Sequence, residues 1–135
     1  MINSPEEFIA LRNSEVPAEY HRAQIEGASI DVWFELIEKH PEMKVWVARN
    51  KAIPREVIVR LSRDHDPIVR HAICSKYPLD MDIYLLFSKD PDEGIRASLT
   101  FNKKLPISIL KEMSENDSSE FVRSQALDRY KQRIS

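Results

Sequence analysis

The chain has 135 residues, 42% of them apolar, with 22 acids against 20 lysines and arginines for a net charge of −2. That is the size of one ordinary domain, able to bury roughly 65–70% of its unfolded surface. No apolar run approaches the ~18 residues of a membrane-spanning helix, and a pI near 6.1 disfavours a dedicated nucleic-acid binder, which is normally strongly basic.

The start, Met1-Ile2-Asn3-Ser4-Pro5-Glu6-Glu7, has neither the basic nor the apolar stretch of a signal peptide, so the expected compartment is the cytoplasm. Ser4 opens the first predicted helix, 5–13, with Glu7 completing a Ser-x-x-Glu capping box and Phe8, Ile9 and Leu11 apolar. A second helix, 17–26, begins at Pro17 and ends at Gly27, read as its C′ residue. Ile30 to His40 is a third, with Ile30, Trp33, Ile37 and His40 at helical spacing on one face. Pro41 stops it, and Met43 to Asn50 is a fourth. Two glycines against eight prolines leave no glycine cluster for hairpin turns or phosphate-cradling loops. The fold class is all-α.

From Ile53 onward the chain repeats every 26 residues. Ile53, Leu79 and Leu105 head the copies; Val57, Ile83 and Ile109, then Ile58, Tyr84 and Leu110, then Leu61, Phe87 and Met113 fill the helix. Asp64, Asp90 and Asn116 punctuate it, and Val69, Ile95 and Phe121 are the next apolar anchors, read with no insertion. A period of this size means stacked helical units, none able to bury its apolar face alone. The predicted architecture is a single α-solenoid domain with an N-terminal helical cap (1–29), repeats (30–120) and a C-terminal capping unit (121–135). Pro41-Glu42-Met43-Lys44 echoes Pro67-Ile68-Val69-Arg70, so residues 30–50 read as a shortened copy.

The segment Asp64-His65-Asp66-Pro67-Ile68-Val69-Arg70 recurs as Asp90-Pro91-Asp92 through Arg96, and in weaker form as Asn116-Asp117 through Arg123. Asp64 and Asp66 offer hard oxygens for a divalent metal, but catalytic constellations do not recur once per repeat. The favoured reading is structural. Asp66 and Asp92 cap the following helices, while Asp64, Asp90 and Asp117 reach Arg70, Arg96 and Arg123 six residues on. His21, His40, His65 and His71 lack zinc spacing, and no Ser-His-Asp order stands out. The lone Cys74 shares a column with Ala48, Thr100 and Ala126 and is read as a packed small residue. No catalytic residue, metal or cofactor is expected.

The run Val45-Trp-Val-Ala-Arg-Asn50-Lys-Ala-Ile-Pro54-Arg-Glu-Val-Ile-Val-Arg-Leu61-Ser-Arg-Asp64-His-Asp66 resembles one unit of the leucine-rich repeat variant family, an architectural relative of HEAT and armadillo proteins. The resemblance spans about residues 43–130 and implies a right-handed superhelix of alternating α and short 3₁₀ helices. It departs at Lys76-Tyr77-Pro78-Leu79-Asp80, which replaces the Asn-Lys-x-Ile/Leu-Pro of the flanking copies. The segment Arg12-x-Ser14-x-x-Pro17-x-Glu19-Tyr20-x-Arg22-Ala23, with Val32-Trp33 and Trp46-Val-Ala-Arg-Asn-Lys51, is similar to small bacterial solenoids that accompany polymorphic toxins. That similarity implies an immunity protein of contact-dependent inhibition that neutralises a toxin, EndoU-type ribonucleases among the candidates; the sequence leaves the oligomeric state open, with a monomer expected.

Charge singles out the candidate surface. Residues 1–42 hold nine acids against three cations, a net of −6, which leaves +4 for residues 43–135. On the third helix Asp31, Glu35 and Glu38 form one stripe with Phe34 beside it, and Glu42 follows. An acidic stripe with an aromatic anchor suits a basic protein partner, and a solvated face with Phe34 packed beneath neighbouring helices is the plain alternative. Trp46 stands in a column otherwise filled by Ala72, Ser98 and Ser124, and Arg49, Ser75 and Phe101 form a second variable column. These give a partner-binding set of Asp31, Phe34, Glu35, Glu38, Glu42, Trp46, Arg49 and Phe101. Lys103, Lys104, Lys111, Arg123, Arg129, Lys131 and Arg133 keep nucleic-acid binding open as the second class.

Overall fold

A computed structural model describes all residues from Met1 to Ser135. It is all-helical: α1 (Pro5–Asn13), α2 (Pro17–Ile25), α3 (Ile30–Lys39), a 3₁₀ turn (Pro41–Met43), α4 (Lys44–Arg49), α5 (Arg55–Leu61), α6 (Pro67–Cys74), α7 (Met81–Ser88), α8 (Glu93–Leu99), α9 (Ile107–Asn116) and α10 (Glu120–Ile134). The one extended pairing is an isolated bridge between Ile2 and Ala28. The helices gather into two compact units, Met1–Ile73 and Cys74–Ser135.

In the first unit, the Ser4 hydroxyl accepts the Glu7 N–H at 3.0 Å and Pro5 takes a position needing no N–H donor. The Glu7 carboxylate turns back to the Asn3 N–H at 3.3 Å, one residue short of the usual box. Phe8 of α1 meets Trp33 of α3 edge to face, centroids 5.4 Å apart, and both are fully buried. Each such aromatic adds about 1.5–3 kcal/mol by leaving water. Leu36, Val47, Val57 and Leu61 complete this core.

The end of α2 departs from the sequence expectation. Gly27 has no positive φ, and the C-cap is Glu26 in extended conformation. The exposed carbonyls of α2 are taken instead by a distant asparagine. Asn50 Nδ2 donates to the Ala23 and Glu26 carbonyls at 2.8 and 2.9 Å, and the Lys51 N–H donates to the Gln24 carbonyl at 2.8 Å. Asn50 Oδ1 accepts the Ala52 N–H at 2.7 Å. A tertiary contact replaces the local glycine cap because the last carbonyls of a helix need only some donor.

The second unit uses the same device. Asn102, fifty-two residues after Asn50, donates to the Cys74 and Lys76 carbonyls at 3.0 and 2.7 Å. Its Oδ1 accepts from the Lys104 N–H and the Tyr84 hydroxyl, so all its hydrogen-bonding capacity is used in a site only 6% exposed. At the intervening position Lys76 replaces asparagine, and the Tyr77–Pro78 peptide is cis. Tyr84, Phe87, Ile95, Leu99, Leu105, Leu110 and Met113 form this core, covered by α10 against α9.

The aspartate segments share one geometry in three places. The carboxylates of Asp64, Asp90 and Asp117 accept the N–H two residues on, at 2.9, 2.8 and 2.9 Å. Arg70, Arg96 and Arg123 donate to the main-chain carbonyls of Asp64, Asp90 and Asp117 at 2.8, 2.7 and 2.6 Å. In these bonds the arginine reaches the aspartate's backbone oxygen rather than the carboxylate expected from sequence. The Asp64 carboxylate takes Lys44 at 2.9 Å, and the Asp117 carboxylate takes Arg96 at 3.0 Å. Asp92 caps α8 through the Ile95 N–H, Asp66 accepts the Ile68 N–H, and Ser119 caps α10.

This geometry corrects the last column. Asp117, not Asn116, occupies the place of Asp64 and Asp90, and Val122, fully buried, occupies that of Val69 and Ile95. Phe121 is 56% exposed. The final copy is therefore slipped by one residue, taken up in α9, which runs ten residues where α5 has seven. Ala126 accordingly lines up with Val47, Ile73 and Leu99 rather than with Cys74.

Candidate functional site

Three surfaces carry the residues singled out from sequence. On α3, Asp31 and Glu38 are exposed, while Phe34 and Glu35 are half-buried. The burial of Val32, Trp33, Leu36 and Ile37 turns this row outward. Its acids meet the protein's own cations at long range: Lys39 lies 3.7 Å from Glu35, and Arg60 of α5 lies 3.8 Å from Glu38. The Arg60 guanidinium also sits over the Phe34 ring at 5.7 Å. Exposed pairs of this kind are worth roughly 0–1 kcal/mol and are screened by salt. Glu42 stands apart in the 3₁₀ turn, 3.8 Å from His40.

Trp46 and Arg49, on α4, belong to a different place. They line a surface cleft of about 180 Å³ with Arg12 of α1, Ala23 and Gln24 of α2, and Lys51. The Arg12 guanidinium carbon lies over the Trp46 indole, 3.3 Å from its centroid, and that of Arg49 lies 5.0 Å from it. Such stacking is worth about 0.5–2 kcal/mol according to desolvation. Arg12 Nε is buried without an acceptor. The stacking covers a large ring that the flanking copies replace with small residues. The acids of this neighbourhood are engaged elsewhere: Arg22 pairs with Glu26 and Glu7, and the N-terminal ammonium with Glu26. Hydrogen bonding from Arg22 is the leading reason the Glu26 carboxyl is held below its ordinary range.

Phe101 lies in the second unit, 53% exposed, under the Arg129 guanidinium at 4.8 Å. Arg129 Nε is likewise buried without an acceptor. Lys103 stands 5.9 Å over the ring of Tyr77, which is 52% exposed. Of the other cations weighed for nucleic acid, Arg123 and Arg133 are spent on main-chain carbonyls of Asp117 and Leu105.

The partner set thus divides. Asp31, Phe34, Glu35 and Glu38 form one row, Trp46 and Arg49 join a cationic cleft, and Phe101 sits in a second cation–aromatic pair. Arg12, Gln24 and Lys51 were not in the set; Arg12 lies far from Trp46 in sequence, and no spacing rule links them. Asn50 and Asn102, which fix the loops bearing Arg49, Lys51, Phe101 and Lys103, were visible only as part of a recurring Asn-Lys motif.

The single thiol, Cys74, is buried. Burial pushes the Cys74 thiol up to about 12, with Asp90 adding to the effect. Such a thiol is not a nucleophile at neutral pH. The His, Cys, Asp and Glu side chains form no group able to hold a metal ion. No helix is long and apolar enough to cross a membrane. In comparisons with known proteins, no family model, no curated protein and no solved structure matches this chain.

Proposed function

We propose that the chain is a non-catalytic protein-binding module, a right-handed α-solenoid that binds and neutralises a toxin domain, most simply a nuclease whose basic active-site surface it occludes. The observation that carries this reading is the α3 row. Asp31, Glu35 and Glu38 flank a half-buried Phe34, and Glu35 and Glu38 are paired only with exposed cations at 3.7 and 3.8 Å. A partner's lysines and arginines can replace Lys39 and Arg60 at small cost while Phe34 supplies an apolar anchor. Nucleases that cleave RNA present cationic clefts to phosphates, so an acidic row steers and blocks them. The similarity of residues 12–51 to immunity solenoids points the same way.

The test is whether the gene beside this one encodes a toxin domain, followed by co-expression of the two; an isolated locus would count against the reading. The expected result is restored growth and a stable complex on purification; continued growth arrest would overturn the reading.

A second reading is favoured by one feature of the second unit. Tyr77 and Phe101 are exposed beside Lys103 and Arg129, the combination of stacking faces and cations that single-stranded nucleic acids use. Absence of retention on a single-stranded oligonucleotide at low salt would dispose of it.

A further inference from the structure

We infer that the cleft around Trp46 is a carboxylate-binding subsite that receives an acidic side chain or chain terminus from a protein partner. Arg12, Arg49 and Lys51 converge on it, with Gln24 as a neutral donor and Ala23 as its floor. No carboxylate lines it, and none forms an ion pair with these three cations. Like charges gathered in one concavity repel one another, and an anion seated among them removes that cost.

The backbone that carries Arg49 and Lys51 is held in place. Asn50, fully buried, pins the loop between Arg49 and Lys51 to the end of α2, and the Lys51 N–H is bonded to Gln24 itself. Arg12 is stacked on the indole with its Nε buried and unpaired. Arginine presents a planar fork matched to a carboxylate, and stacking fixes the plane of that fork. Ordering lost in advance is affinity kept on binding.

Size and charge choose the occupant. About 180 Å³ is smaller than the ~300–1,000 Å³ of clefts that enclose a whole ligand, so the cleft takes one group presented by something larger. Nucleic acid is the poorer fit. Arg12 lies 3.3 Å from the centroid of the Trp46 ring, and a base stacking on that face would have to displace it. Residues 1–73 also hold twelve acids against ten cations, a net negative unit that repels a polyanion. A single acidic loop meets the three local cations first.

This inference stands apart from toxin neutralisation and does not use the α3 row. The experiment titrates the full chain with hexaglutamate at low salt by calorimetry, with hexalysine and a twelve-residue oligothymidylate as comparison probes. Binding of hexaglutamate, at least tenfold weaker for Arg49→Gln with Lys51→Gln, is the expected result. Both side chains are exposed, so these variants should melt like the parent. Arg12→Lys, which keeps the charge but loses the fork, should weaken binding several-fold, and Glu35→Lys with Glu38→Lys should leave it intact. No hexaglutamate binding, equal binding by the Arg49→Gln, Lys51→Gln variant, or tighter binding of the oligothymidylate would each overturn the assignment.

Discussion

Asp64 sits under opposing influences. Burial raises its carboxyl, while the Asp66 N–H and the Lys44 ammonium more than reverse that, leaving it below the ordinary carboxylate value. Lys44 and Asp64 side chains are only 13% and 9% exposed, so this is not a screened surface pair. The folded chain binds the proton more weakly than the unfolded chain, whose aspartates titrate near ~3.9. The contribution is therefore complete above about pH 5 and lost as pH falls through the lowered folded value. Lys44→Met should cost about 1.5–3 kcal/mol at pH 7, the range for a charged hydrogen bond. In urea unfolding the gap between variant and parent should narrow from pH 7 to pH 3; a gap unchanged between pH 7 and pH 3 would refute the pairing.

At the scale of elements, sequence was a good guide where a rule is local. Prolines and caps placed the helix starts, and the buried columns Val57, Ile83, Ile109 and Leu61, Phe87, Met113 follow from helical spacing alone. It failed where the deciding partner is remote. The α2 terminus looked like a glycine cap but is closed by Asn50. The Asn116-Asp117 pair hid a one-residue slip because either residue can make the same turn, and only the buried neighbour reveals which does. The slip has a direct test. Val122→Asp buries a charge and should lower stability by several kcal/mol or prevent folding, whereas Phe121→Asp should change it by less than about 0.5 kcal/mol. Thermal melts of the two variants decide; equal losses would restore the unslipped register.

Taken whole, the molecule has an overall charge near zero but uneven local charge. The acidic row on α3 was legible because three carboxylates and Phe34 fall on one helix. The cationic cleft was not, since Arg12, Gln24 and Lys51 come to Trp46 from three separate segments. Both features belong to the first unit, and their opposite charges are tested separately. The central claim is that α3 forms part of a protein-binding face. The most direct measurement is the salt dependence of the dissociation constant between this chain and a basic toxin domain that it neutralises on co-expression. Glu35→Lys with Glu38→Lys should weaken binding at least tenfold at low salt and flatten the salt dependence. An unchanged constant and slope in that variant would contradict it.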